Sequence, residues 1–407
     1  MIAFSGIVPN PASNIRCEEL DQSEWDVVIL GAGIAGACTA ILCAKHGLKT
    51  LVLESKSFPR EKVCGGCLNR AAQSVLERIG VLPHLIAAGA VPIEALHLQI
   101  LKSGVRWPVP KMLSIRRSTL DSLLVSHAME LGCSYIDRST GTLVPRDREA
   151  GVIPKGEQIE KDSYRAVRVQ STDGASVVRS RCVVVASGLT RSSLRNDRVW
   201  PAEVSAESRI GVQCILPNGC APEYADGQLH MMVGRNGYAG ICSTDGETID
   251  IAAAIDPASI QPMGGIDSVV RSILADCNAS GIDWPTDCTW LATPALTRSS
   301  MRVADDRVFL IGDAIGYLEP FTGQGMSWAL ASVEAVMPLV QEVAQGKWKE
   351  EIATRWNDWA YRQRIHHQRT CRWIANRIRQ PHSAAWVLQA CNWIPPLRAT
   401  IIRKSTQ

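Results

Sequence analysis

The sequence has no run of the roughly 20 apolar residues that crosses a bilayer as a helix, so no transmembrane helix is expected. It also lacks an excess of charge of either sign. A net charge of only +3 over 407 residues argues against wholesale nucleic-acid binding and leaves local basic patches to interpret. No repeat or linker divides the chain, so its domains are expected to be interleaved. The first 24 residues lack a basic stretch followed by an apolar core, and neither a secretory signal nor an anchor is expected there. The 14 cysteines lack metal-ligand spacing, and the adjacent His366 and His367 do not supply it, so no metal is expected. Scattered through apolar segments such as ILCAKHG and SRCVVVASG, most read as buried, reduced thiols of a cytoplasmic enzyme. With 46% hydrophobic residues the chain has ample material for two or three globular domains.

What is present begins with WDVVILGAGIAGACTAILCAKHGLKTLVLES. An apolar strand, a glycine turn, a helix with small residues in its first turns and a second strand make a βαβ unit. Gly31 permits the tight turn, Gly33 lets backbone approach a diphosphate, and Gly36 lets the helix pack closely. The helix start at Ile34 and Ala35 then faces the phosphates. Glu54, with Ser55 beside it, ends the second strand. A carboxylate there accepts from a ribose 2′-hydroxyl and repels a 2′-phosphate, which favours NAD or FAD over NADP. No second strand-linked GxGxxG follows, so no separate NAD(P) domain is expected.

Far downstream, DRVFLIGDAIGYLEPFTGQGMSWALASVEAVMPLV combines a strand ending in Gly312 and Asp313 with a PxxGxG turn formed by Pro320, Gly323 and Gly325. SIRRSTLDSLL carries Arg117-x-x-Leu-Asp121 at a helix start. In this order the motifs resemble the FAD-dependent family that contains the aromatic hydroxylases of the p-hydroxybenzoate type, the group A flavin monooxygenases, and the geranylgeranyl reductases. The resemblance covers roughly residues 25–345. It implies FAD as cofactor, with Asp313 at the ribityl and diphosphate region and Arg117 near the cofactor. It also implies that the turn through Gln324 and Met326 aims N–H groups at the flavin pyrimidine edge, where a helix start stabilises the reduced anion. SRCVVVASGLTRSSLR departs from the family's Ala-Asp-Gly, with Ser187 standing where the Asp belongs. Direct reduction by NADPH is weakened accordingly, and NAD(P)H stays only as a transient electron donor.

EKVCGGCLNR, residues 61–70, holds a CxxC wrapped around two glycines. One reading is a redox dithiol of Cys64 and Cys67, as in disulfide oxidoreductases that resemble glutathione reductase. Those space the pair by four residues and carry a second dinucleotide fold, and both features are missing. The resembling geranylgeranyl reductases instead have a CGGG-like segment here. That implies a flavin-lining loop with Cys64 facing the site and Cys67 incidental, since glycine suits backbone laid against a flat ring.

The expected fold is α/β. A Rossmann-like FAD-binding domain of the p-hydroxybenzoate hydroxylase type, with a glutathione-reductase-like βαβ unit, is formed by residues 25–90, 111–195 and 295–345. An interleaved, mainly antiparallel substrate domain takes 91–110 and 196–294, flanked by an extension at 1–24 and C-terminal helices at 346–407. Neither the aromatic-Trp-Phe-Pro pattern of geranylgeranyl reductases nor the Trp-x-Trp-x-Ile-Pro of flavin halogenases occurs, so no particular substrate carries over. His230 reads as a structural histidine. Glu319 and Cys64 are the candidate catalytic groups. The expected activity is FAD-dependent oxidoreduction of an apolar small molecule, with reduction of an isoprenoid or polyketide-like C=C bond preferred over hydroxylation. An electron-transfer or binding flavoprotein is the remaining alternative, and the oligomeric state is not legible. The basic stretch YRQRIHHQRTCRWIANRIRQ near the C-terminus reads either as a packed helix or as a peripheral contact with the inner membrane face.

Overall fold

The computed structural model describes residues 8–21, 24–146, 163–194, 199–319, 321 and 323–393, without the side chains of 110, 364–375, 387 and 389–393. Strand β1 (Glu24–Leu30), helix α1 (Ile34–Lys45) and strand β2 (Thr50–Leu53) form the expected βαβ unit. β1 lies at the centre of a parallel sheet between β2 and Gly174–Val185, extended by Ser134–Ile136 on one side and Val308–Leu310 on the other. Covered on both faces, these strands are apolar along their inner stretches, residues 27–30, 51–53, 182–185 and 308–310, as parallel strands are. Gly31 adopts φ 107°, and a Cβ there would lie 2.6 Å from the Ala186 carbonyl oxygen. A Cβ on Gly36 would lie 1.8 Å from the Gly31 carbonyl oxygen. Both glycines are therefore required by the protein's own backbone.

The second sheet has eight strands in the order 291–295, 210–217, 248–255, 237–243, 228–234, 91–100, 103–114 and 67–68. All neighbours are antiparallel except Gln228–Gly234 and Val91–Ile100, which are parallel. Alternation gives it two apolar faces. One packs on helix Ile266–Asp276 through Val269, Val270, Ile273 and Leu274, while the other looks toward the first sheet. The short strand Cys67–Leu68, expected within the cofactor unit, pairs with Leu113 and Ser114 at the edge of this second sheet. The CGGC loop is thus the joint between the two sheets.

Helix Gly325–Ala344 starts directly after the glycine turn, followed by Glu350–Ile378 and Pro381–Trp393. The Trp356 indole donates to the Leu310 carbonyl at 3.0 Å and stacks on Trp359, which fixes the second of these helices against the parallel sheet. Ile378, Ala384 and Leu388 join Leu98, Ile100, Trp107 and Tyr238 in one apolar cluster over the second sheet. The basic stretch proposed for membrane contact has most of its side chains outside the described set. Among the described residues no helix is long and apolar enough to cross a membrane.

Candidate flavin and substrate site

Between the carboxyl ends of the parallel strands and the open face of the second sheet lies a cleft of about 1350 Å³, its mouth included. Open α/β sheets bind their ligands at this end. One end is built by the α1 start, the Ser187–Gly188 turn and Asp313, the other by the CGGC loop and the second sheet.

At the first end no side chain caps α1, so the first-turn N–H groups of the helix face the cleft. Gly33 differs from its neighbours: a Cβ there would meet only Arg60 and Lys62 side-chain ends, at 3.7 and 3.8 Å. The fold does not need glycine at 33, which leaves this side of the helix start open to the cleft. Lys62 Nζ lies 3.9 Å from Asp313, and burial pulls its pKa down while the Asp313 charge opposes that shift. Arg60 bridges Glu54 and Asp121, both at 3.3 Å. Glu54 accepts from the Ala32 N–H at 2.9 Å, and Ser55 donates back to it at 3.2 Å. The hydroxyl of Ser187 has no hydrogen-bond partner among the described residues. An uncapped helix start, two cations and an open glycine fit a dinucleotide diphosphate.

Arg60 and Lys62 were missed in reading the sequence. The available signal was their i, i+2 spacing in an extended segment, which puts both on one side.

At the other end Gly323 (φ 68°), Gly325 and Met326 line the cleft, and the helix starting at Gly325 also has no side-chain cap. Gly312 (φ 56°) packs on Ala35, and Gln324 is buried. Pro320 lies outside the described residues. Arg117 is buried and bidentate on Asp121, at 3.0 and 2.9 Å, and its charge acts on the neighbouring Cys64 thiol. Burial raises the Cys64 pKa more than Arg117 and the Gly66 N–H lower it, so at neutral pH it holds its proton. Cys67 turns elsewhere, its thiol 3.1 Å from the Gly65 carbonyl, which the Cys242 thiol also reaches at 3.7 Å. The two cysteines of the CxxC therefore face different partners.

Two further expectations take a definite form. Glu319 is 2% exposed and its carboxylate is held by Arg209 at 3.0 Å and by Arg379 at 3.7 Å. With both oxygens engaged by guanidinium groups and outside the cleft lining, it is not placed as an acid, which corrects that assignment. His230 sits between Asp226 at 3.1 Å and His97 at 3.3 Å, away from the cleft, as a structural histidine should. Among the described residues no group of three or more His, Cys, Asp or Glu side chains is arranged for a metal.

The sheet side of the cleft is apolar. Its register aligns Gly211, Ala254 and Tyr238 in one row and Gln213, Ala252, Gly240 and Met231 in the next, with a shallow trough where Gly211, Gly240, Ala252 and Ala254 meet.

A βαβ unit, a distant Gly-Asp turn and a second sheet roofing the cleft between them define a flavoprotein of the p-hydroxybenzoate hydroxylase type. The chain belongs to the FAD binding domain family, whose profile matches residues 24–358. Its cofactor is FAD, and it is an FAD-dependent oxidoreductase of the flavin reductase and monooxygenase group. It is 24% identical to the menaquinone reductase of Mycolicibacterium smegmatis over 75% of this chain and 73% of that one. To digeranylgeranylglycerophospholipid reductase 1 of Methanopyrus kandleri it is also 24% identical, over 82% of this chain and 86% of that one. The fold matches that of the flavin-dependent brominase Bmp2 with a TM-score of 0.75 at 19% identity, covering 94% of each chain.

Proposed function

We propose that the protein reduces a C=C bond of an apolar, isoprenoid or polyketide-like small molecule, with NAD(P)H as the transient electron donor. The observation that carries this reading is the apolar sheet side of the cleft, where Leu229, Met231, Tyr238, Leu296, Ala252 and Gly240 present no charge. Two relatives whose names describe them as reductases of a menaquinone and of a geranylgeranyl lipid support it.

Bound and reduced, FAD supplies a hydride, so the chain must position it and provide one proton. The α1 start, Arg60 and Lys62 hold the diphosphate, Asp313 the ribityl end, and the Gly323–Gly325 turn the pyrimidine edge. Cys64 Sγ gives its proton to the substrate carbon next to the one receiving hydride. The neighbouring Arg117 guanidinium then stabilises the thiolate that remains. The trough keeps the alkene against the ring and excludes water.

Gly240→Trp tests the assignment of the trough, because the new side chain fills it without touching the cofactor cradle. The variant should keep stoichiometric FAD yet lose the change that a prenylated naphthoquinone produces in the flavin absorbance spectrum of the wild type. An unchanged response in Gly240→Trp would place the substrate elsewhere.

A further inference from the structure

The CGGC loop rests on a buried polar pair that the proton-transfer scheme leaves unused. Asp250 and Gln213 lie on adjacent strands of the second sheet, next to Ala252 in the trough floor, and both are 2% exposed. Gln213 Nε2 donates to Asp250 Oδ2 at 2.6 Å and to the Cys64 carbonyl at 3.0 Å. It is a side-chain tie from the sheet to the backbone of the residue whose thiol meets Arg117. Among the described residues Asp250 Oδ1 and Gln213 Oε1 have no hydrogen-bond partner, so neither group is fixed by a competing network.

We propose that Asp250 is a positioning residue: through the Gln213 amide it clamps the Cys64 carbonyl and thereby seats the loop, and with it the Cys64 thiol, over the cleft. What the clamp positions rests on the role given to Cys64 above, whereas the clamp itself is a property of the chain.

The surroundings make the clamp sensitive to the charge on Asp250. Glu61 and Cys64 face it from the loop, Arg116 from the head of helix Arg117–Glu130, Asp245 from the hairpin tip, Cys242 and Cys214 from the flanking strands. Arg116 is the single cation in that set, and it is already paired with Glu61. Burial is the largest influence, and it pushes the carboxyl up to about 8, so the neutral acid is the form seated at pH 7. Ionisation places a charge in a dry site with Glu61 and Asp245 close by. The relief available is for the loop to lift and admit water, which breaks the tie to Cys64.

Amide hydrogen exchange of the peptide spanning 63–69, read on the purified full chain and normalised to its intrinsic rate, tests this without turnover or substrate. In the wild type the normalised rate should rise about tenfold between pH 7 and pH 9, as expected for one pH unit beyond the titration, with no such step at β2. Asp250→Asn, which keeps the hydrogen bond and cannot ionise, should be slow at both pH values. Gln213→Leu should be fast at both. A pH step that persists in Asp250→Asn, a wild type without a step, or a step of equal size in β2 overturns the proposal. Because Asp250→Asn preserves shape, that comparison stands even if Gln213→Leu does not fold. Failure of the reductase assignment would leave these exchange results unchanged, so the two can be told apart.

Discussion

The Arg117 guanidinium, locked onto Asp121 by two hydrogen bonds of 3.0 and 2.9 Å, places its charge beside the Cys64 thiol and draws the thiol pKa down against the larger effect of burial. A protonated thiol beside a fixed cation is a proton store whose conjugate base is stabilised in advance. Cys64→Ala should therefore lower the rate of the chemical step by about 10²-fold or more, the range of lost acid catalysis, while FAD remains bound. Cys67→Ala should leave that rate within a few-fold. Rapid-mixing kinetics on both variants checks this. Loss of activity in both, together with loss of a long-wavelength thiolate–flavin band, would mark a dithiol instead.

Gly33 and Gly36 should separate cofactor binding from folding. A Cβ at 33 has open space, whereas one at 36 would lie 1.8 Å from a carbonyl oxygen. Gly33→Ala should keep the melting temperature of the apoprotein and weaken FAD binding by about 10- to 100-fold, the worth of one or two charge-assisted contacts. Gly36→Ala should fail to give a cooperative melt. Fluorescence titration of FAD and thermal unfolding of the apoprotein are the measurements.

Glu319→Gln should act on stability. It leaves Arg209, 1% exposed, with Asp256 as its remaining acidic partner, and weakens the tie that Arg379 makes to the turn before the flavin glycines. Breaking a buried pair from one side costs about 3–5 kcal/mol, so urea unfolding should shift markedly. A variant with wild-type stability and lost turnover would restore Glu319 as the acid.

Asp250 should give the protein a sloping pH–stability profile. Its folded pKa, about 8, lies above the ordinary carboxylate value of 3.8. The neutral form is the one that fits, so its contribution is complete below pH 4 and is lost as pH rises toward 8, by about 1.4 kcal/mol per unit. Above pH 8 the penalty levels off. Asp250→Asn should unfold at a higher urea concentration than the wild type, with a difference that widens from pH 5 to pH 8. A constant difference would mean that the carboxyl is not buried as described.

The cofactor half was legible because its residues carry backbone geometry. Gly31 and Gly36 stand where no side chain fits, Gly312 takes a left-handed backbone close against Ala35, and Asp313 follows a strand whose pattern is plain. The antiparallel sheet was legible from alternation and from turns such as Arg235–Asn236. What stayed hidden came from pairs far apart in sequence. Nothing local links Arg209 to Glu319, so Glu319 looked free to act as an acid. A dithiol of Cys64 and Cys67 stayed open beside the flavin-lining loop, because spacing in sequence says nothing of which thiol a strand turns toward Cys242. Asp250 was passed over as one acid in an apolar strand, although an acid flanked by isoleucines in TIDIAAAI was itself a sign of burial.

The central claim is tested most directly by a single turnover without oxygen. Holoprotein is reduced chemically, mixed anaerobically with a polyprenyl naphthoquinone or a geranylgeranyl lipid, and the product is weighed by mass spectrometry. A C=C reductase acting through FAD gives a product heavier by two hydrogens that are kept after re-oxidation in air, and in D₂O both arrive as deuterium, because the hydrogen of the reduced flavin exchanges with solvent as the Cys64 thiol does. A substrate left untouched until oxygen is admitted, and then gaining one oxygen atom, would contradict the account and identify a monooxygenase.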